Sequence, residues 1–281
     1  MKVGVITLSC AYNYGAVLQA YATQQFLTWS GHDAVLIDYV TERYQIDNED
    51  FVYKSTVRWR KNFLTRFLWK HTKHRNEEIC RDFFREFVET HIPKTKEYLS
   101  NAELKSDLPD CQAFVSGSDQ IWNTDFSWDR QPDLPFFLDF VPDGRKRVAY
   151  SSSFGECHME PATKERVRGL LSRYDAIAVR ESSGKDLVEE LGLSAKVVLD
   201  PTMLCNRKIW EELAADRLVD QEYVLLFQIN PNKELIRSAR QFAASKNLKL
   251  ILLSASPAHK RNLGRSAIYM PKVEQWLSYF K

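Results

Sequence analysis

No run of apolar residues approaches the ~18–20 that a membrane-spanning helix requires, so nothing in the sequence reads as a transmembrane segment. The five cysteines (Cys10, Cys80, Cys111, Cys157, Cys205) are scattered, without a Cys-x-x-Cys pair. That excludes the common zinc and dithiol motifs, and an odd number of thiols fits a reduced, cytoplasmic setting. Neither sign of charge dominates: 39 basic and 37 acidic residues leave a net charge of +2, which makes no case for nucleic acid. The six histidines lie apart and suggest no metal site. There is no internal repeat, no low-complexity tract and no Gly-x-Gly-x-x-Gly, so a nicotinamide or flavin dinucleotide fold is not expected. The opening residues read as a strand, not as a signal peptide. What is present is an ordinary globular composition, 44% hydrophobic and 27% charged over 281 residues, enough for a sizeable core.

The most informative stretch is Val115-Ser116-Gly117-Ser118-Asp119-Gln120-Ile121-Trp122-Asn123. An apolar strand (Ala113, Phe114, Val115) runs into a small polar turn, and a carboxylate, an amide and an indole follow at once. In open α/β sheets ligands bind at the carboxyl ends of strands. Gly117 permits backbone angles and a ligand approach that a side chain would forbid. A surface turn whose aspartate caps a helix is the competing reading. Trp122 suits either a ligand-stacking surface or the core.

The start of the chain repeats this design. Val3-Gly4-Val5-Ile6-Thr7-Leu8 reads as a buried strand. Asn13 is placed to cap a helix carrying Val17, Leu18, Tyr21, Ala22 and Phe26 at helical spacing. The free N–H groups at such a helix start suit an anion.

Five segments carry a family resemblance. Asn13-Tyr14-Gly15-Ala16-Val17-Leu18-Gln19-Ala20-Tyr21-Ala22 resembles the N-terminal motif of the polysaccharide pyruvyl transferase family, and Gly117–Asn123 its second motif. Tyr150-Ser151-Ser152-Ser153-Phe154-Gly155, Ala178–Gly184 and Leu199-Asp200-Pro201-Thr202 resemble three more, in family order. The resemblance implies an α/β fold of two Rossmann-like domains as in GT-B-type glycosyltransferases. It also implies phosphoenolpyruvate as donor, a glycan or lipid-linked sugar as acceptor, and a pyruvyl ketal as product. No metal or redox cofactor is required by that chemistry.

The implied reaction needs an acid for the enol carbon, cationic or N–H groups for the donor's carboxylate and phosphate, and a group to orient the attacking hydroxyl. Arg180, after the apolar run Ala176–Val179, is the candidate anion clamp, because a guanidinium grips an oxyanion through two parallel bonds. Pairing with Asp200 or Asp119 for structure alone is the alternative. Asp119 is the candidate catalytic carboxylate on the acceptor side. The resemblance carries substrate-binding roles onto Asn13, Tyr14, Gly15, Gly117, Ser118, Gln120 and Ser153.

The expected organisation is an N-terminal Rossmann-like domain over 1–205, with a helical excursion at 54–91, and a partial C-terminal one over 206–281. Within the excursion, 54–75 interleaves Lys54, Arg58, Arg60, Lys61, Arg66, Lys70, Lys73 and Arg75 with Trp59, Phe63, Phe67 and Trp69, without an acidic residue. Two readings fit: an amphipathic helix resting on anionic lipid at the inner face of the cell membrane, or an excursion that packs its aromatics and solvates its charges. The family's Asp-Ser-Phe-His-Gly motif, which supplies a candidate active-site histidine, does not occur, and His259 lies in an unrelated context. The chain therefore reads as an incomplete member, with its second domain truncated and inactive alone. A nucleotide-sugar glycosyltransferase of GT-B type and a non-catalytic sugar-binding remnant are the alternatives.

Overall fold

A computed structural model of the chain describes residues 1–11, 13–45, 75–127, 129–156, 158–230, 232–255, 263 and 266–281, with backbone alone for 75–80. The basic segment 54–74 and the loop around His259 lie outside the described residues.

The chain divides into two units. The first comprises the described part of 1–45 together with Phe84–Cys205; the second comprises Arg75–Phe83 and the described part of Asn206–Lys281. The first is built on a wholly parallel sheet of seven strands: β1 (Lys2–Ile6), β2 (Asp33–Tyr39), β3 (Lys94–Tyr98), β4 (Ala113–Ser116), β5 (Lys146–Ser152), β6 (Ala176–Val179) and β7 (Lys196–Val197). Their spatial order is β3-β2-β1-β4-β5-β6-β7. The chain builds outward from β1 to β3, returns to β4 beside β1, and builds outward the other way. Strand order thus reverses between β1 and β4, which makes the gap beyond their carboxyl ends a topological switch point.

Sequence explains this layering. The central strands are covered on both faces, so they read as unbroken apolar runs, as parallel strands must. All four residues of β4 are buried. Helix α1 (Tyr14–Trp29) is capped by Asn13, whose Oδ1 accepts from Ala16 N at 2.7 Å, and is buried on most sides. Helix α2 (Arg75–His91) lays Phe84 edge-on to Tyr14 and Phe87 against Tyr21, with ring centroids 5.1 and 6.2 Å apart. Helices α3 (Asn101–Ser106), α4 (Pro161–Leu171) and α5 (Ser182–Glu190) follow β3, β5 and β6. No described helix is long and apolar enough to cross a membrane.

Trp122 is a core residue and not a sugar platform. It is fully buried, stacks on Phe137 at 5.4 Å, meets Phe154 and Tyr174, and donates its indole N–H to the Phe136 carbonyl at 3.1 Å.

The second unit carries three parallel strands in the order β10-β9-β8: β8 (Tyr223–Gln228), β9 (Lys249–Ser254) and β10 (Ile268–Tyr269). Helices α6 (Arg207–Leu213), α7 (Lys233–Ser245) and α8 (Val273–Ser278) accompany them. Ile236 packs with Leu252, Leu263 and Ala267 in one apolar cluster, while Ile251, Leu253 and Tyr279 form another.

Candidate active site

The turn after β4 is tied to the end of β1. Gly117 N–H donates to Ile6 O at 2.8 Å, and the Thr7 hydroxyl donates to Ser118 O at 2.6 Å while accepting from Gln19 Nε2 at 2.9 Å. A Cβ on Gly117 would lie 2.9 Å from Thr7 Cβ. Its small size is therefore demanded by Thr7, and its φ is not positive, so the expected backbone freedom is not what it supplies.

The unusual backbone lies one step further on. Asp119 adopts φ 82°, and Ser151 on the neighbouring strand adopts φ 58°. Non-glycine residues hold such angles only when their surroundings over-determine them. Here Ser153 N donates to Asp119 O at 2.9 Å, Trp122 N to Ser153 O at 3.1 Å, and the Ser152 hydroxyl to Gly117 O at 2.9 Å. The ends of β4 and β5 are thereby laced into one rigid edge. Gln120 is half-buried and accepts from Asn123 Nδ2 at 2.9 Å. Gly155 approaches that amide pair at φ 59°, where a Cβ would stand 2.5 Å from Gln120 Oε1.

Arg180, at the end of β6, sits between two acids. Its guanidinium lies 3.5 Å from Asp200 Oδ2 and 3.8 Å from Glu181 Oε2, and its side chain is 31% exposed. Asp200 is held by a 2.7 Å bond from Ser118 Oγ and another from Thr202 Oγ1. Burial opposes its ionisation, but these bonds and the Arg180 charge outweigh burial and hold its pKa below the ordinary aspartate value. Asp119 behaves oppositely. Burial dominates and raises its pKa, despite the Gln120 N–H bond and the nearby Arg180 charge. Two neighbouring carboxyls are thus shifted in opposite directions, one by burial and the other by its hydrogen bonds and the Arg180 charge.

The residues named from sequence fall into two groups. Ser118, Asp119, Gln120 and Arg180 gather with Asp200 at the carboxyl ends of β4, β5 and β6. Asn13 and Gly15 are exposed at the start of α1 on the same edge, and α1 packs on the turn Pro201–Met203 that follows Asp200. Tyr14 instead turns inward, 3% exposed. Ser153 is buried, its hydroxyl donating to Glu181 Oε1 at 2.9 Å, and Phe154 N donates to the same oxygen at 3.1 Å. Sequence reasoning gave Glu181 no role, and it treated Asp200 only as a partner for Arg180. The Asp-Pro-Thr order, an Asx turn in which Thr202 N donates to Asp200 Oδ1 at 3.0 Å, was the available signal for the latter. Among the described residues no group of His, Cys, Asp and Glu side chains is arranged to hold a metal ion.

A family model described as polysaccharide pyruvyl transferase matches residues 13–281. The chain belongs to the polysaccharide pyruvyl transferase family. It is thus a member of a transferase family, and the match spans both units. A search of the curated proteins finds no match. Within this pyruvyl transferase chain, four of the five motif segments, 117–123, 150–155, 178–184 and 199–202, contribute to the laced edge around Arg180.

Proposed function

We propose that the site in this chain belongs to a transfer of the pyruvyl group of phosphoenolpyruvate to two hydroxyls of a glycan sugar, as a ketal. The observation that carries this is the Arg180 guanidinium. It is partly exposed, touches its acids only at 3.5 and 3.8 Å, and shares a strand edge with a carboxyl of raised pKa.

Arg180 binds the donor's carboxylate or phosphate, and Asp200 and Glu181 keep the guanidinium in place. The first turn of α5 adds N–H groups beside it, which no side chain caps. Protonation of the donor's methylene carbon makes its neighbour electrophilic. One sugar hydroxyl adds there and gives up its proton. The second hydroxyl displaces phosphate, which leaves with the second proton. Asp119 orients the attacking hydroxyl and accepts its proton, a task that a carboxyl with an upward-shifted pKa performs better than an ordinary one. The two units are taken, in the same proposal, as Rossmann-like domains of the GT-B kind divided near residue 205. The setting that fits is cytoplasmic, with the basic 54–75 segment against anionic lipid beside a lipid-linked acceptor.

Phosphoenolpyruvate titration tests the central claim. Arg180→Ala loses a bidentate charge-assisted contact worth about 2–4 kcal/mol in a water-excluded site. The expected result is donor affinity down by about 30- to 900-fold with an unchanged melting curve. Arg180→Lys restores only part, since a point charge cannot reproduce the fork. Wild-type donor binding in Arg180→Ala would make the arginine structural and sink the assignment.

A further inference from the structure

The first unit contains a cavity that the site described above does not use. It has a volume of about 440 Å³ and lies beyond the carboxyl ends of β2 and β3, with its third side formed by Phe126, Ser127, Asp129 and the stretch Gln131–Pro135. That size is within the range of small-ligand sites. A narrower recess of about 30 Å³ shares Thr41, Arg43, Phe126 and Asp133 with it and is lined also by Gln120 and Tyr44.

The wall chemistry selects the ligand. Glu42, Asp129 and Asp133 set three carboxyl groups against one guanidinium, Arg43. A phosphate or carboxylate ligand meets repulsion there, so the cavity is not a second donor site. The described residues offer no metal-binding group. An apolar ligand is a poor match for walls that also present the amides of Gln45, Asn101 and Gln131. A neutral polyol suits these walls: carboxylates bridge adjacent hydroxyls and an aromatic ring covers a C–H face, while the amides of Gln45, Asn101 and Gln131 are engaged by Val40 and Leu99, by Asp139, and by Thr163 and Arg166. Phe126 is that ring. It is 40% exposed, and the Arg43 guanidinium stands 4.8 Å from its centroid. Asp133 is pre-set by Tyr39, whose hydroxyl donates to Oδ1 at 2.8 Å.

The recess approaches the candidate site through Gln120, although Asp119 itself lines neither the recess nor the larger cavity. Gln120 lines it and donates its N–H to Asp119 Oδ1 at 2.7 Å. Tyr44, on the same recess, is close enough to feel the Asp119 charge, although burial dominates its own upward shift.

We propose that this cavity is the acceptor subsite: it holds a neutral sugar residue of the glycan and presents its hydroxyls past Gln120 to Asp119. The assignment of the hydroxyls to Asp119 rests on the transfer reading above; the sugar-binding claim stands on the cavity itself.

Saturation-transfer difference NMR on the full chain tests it with four neutral probes: lactose, maltose, N,N′-diacetylchitobiose and mannobiose. At least one is expected to bind saturably, and Phe126→Ala and Asp133→Asn are each expected to weaken it at least tenfold. Both changes are mild for folding, since Phe126 is half-exposed and an Asn at 133 still accepts from Tyr39; melting curves check this, and Arg43→Ala provides a third variant. Phosphoenolpyruvate is titrated into the same samples. Donor binding unchanged in Phe126→Ala but lost in Arg180→Ala supports two separate subsites. Sugar binding without donor binding keeps the subsite and removes the donor reading. Binding of none of the four probes, or binding indifferent to all three variants, overturns the subsite.

Discussion

Gly155→Ala isolates the contact that fixes Gln120 beside Asp119. Two costs add. Gly155 sits at φ 59°, and an L side chain in that region costs about 1–2 kcal/mol. The new Cβ would also stand 2.5 Å from Gln120 Oε1 and 2.8 Å from Asn123 Nδ2, distances that real Cβ atoms do not tolerate. Both atoms end flexible side chains, so the clash is relieved by swinging the amides apart. The cost of that relief is the 2.9 Å Asn123–Gln120 hydrogen bond, about 1 kcal/mol. The sum is about 2–3 kcal/mol of lost stability.

Gly192 supplies the reference, because it has φ 76° and nothing within 4 Å of a built Cβ. Gly192→Ala therefore carries the backbone cost without the clash. Urea unfolding followed by circular dichroism is expected to place Gly155→Ala about 1 kcal/mol below Gly192→Ala. Adding Gln120→Ala to Gly155→Ala removes the obstructing amide, so the double variant should lose less than the sum of the two single changes. Equal costs for the two glycines, or strict additivity with Gln120→Ala, would refute the steric half of this reasoning.

The two site aspartates should respond to pH with opposite signs. Asp119 has its folded pKa raised above 3.8, so its burial costs nothing below the unfolded value and becomes costly as pH rises through the folded one; Asp119→Asn should stabilise at pH 7, with a gain that fades toward pH 4. Asp200 has its folded pKa lowered below 3.8, so its contribution is present above that value and lost as pH falls through the folded one; Asp200→Asn should cost about 1.5–3 kcal/mol at pH 7 and progressively less below pH ~4. Same-signed effects at pH 7 in urea titrations would contradict the two environments. Cys10 is only partly buried, yet its pKa is pushed up to about 12 by loss of solvation with a smaller opposing bond from the Thr41 backbone, so with little thiolate at pH 8 it should label slowly with iodoacetamide in the native protein and faster on unfolding; rapid native labelling of its peptide by mass spectrometry would disprove that shift.

Much of the first sheet was legible because it is buried on both faces. β1 and β4 read as apolar runs, and α1 was announced by its Asn13 cap and its spacing. β3 was not legible. Its sequence is Lys-Thr-Lys-Glu-Tyr, and only Tyr98 is buried, as an edge strand allows. β10 is two residues long and leaves no periodicity to read. At the site, residue type and a place after a strand marked Asp119 and Arg180 as candidates, but position alone left Arg180 open between an anion clamp and a structural ion pair, and only the family resemblance favoured the first. Their partners were not legible, because those bonds cross between strand ends: Ser153 reaches Glu181 28 residues on, and Ser118 reaches Asp200 82 residues on. Gly117 is small because of Thr7, a residue on another strand's end, so its identity suggested a ligand where packing was the cause. The cavity beside Phe126 was invisible for the same reason, since its walls come from three separate stretches of chain.

Two arginines in this unit show how environment, not residue type, separates structure from chemistry. Arg147 is 4% exposed and tied into the fold through its two terminal nitrogens, which donate to the carbonyls of Val141 and of Arg173 and to Asp143 Oδ1 at 3.1 Å, while its buried Nε finds no partner. Removing it would leave buried carbonyls unsatisfied, a stability effect. Arg180 is 31% exposed, and its guanidinium pairs with two carboxylates at 3.5 and 3.8 Å, beyond good hydrogen-bond length. Arg147 is thus buried among the carbonyls it serves, whereas the Arg180 guanidinium keeps part of its surface open. Asp119 and Ser151 hold left-handed angles at a cost of about 1–3 kcal/mol each. The under-coordinated cation, the strained pair and the carboxyl of raised pKa all fall on one strand edge, beside the switch point. Each departure alone has a structural excuse. Their coincidence on one edge is what the proposed donor and acceptor roles of Arg180 and Asp119 rest on.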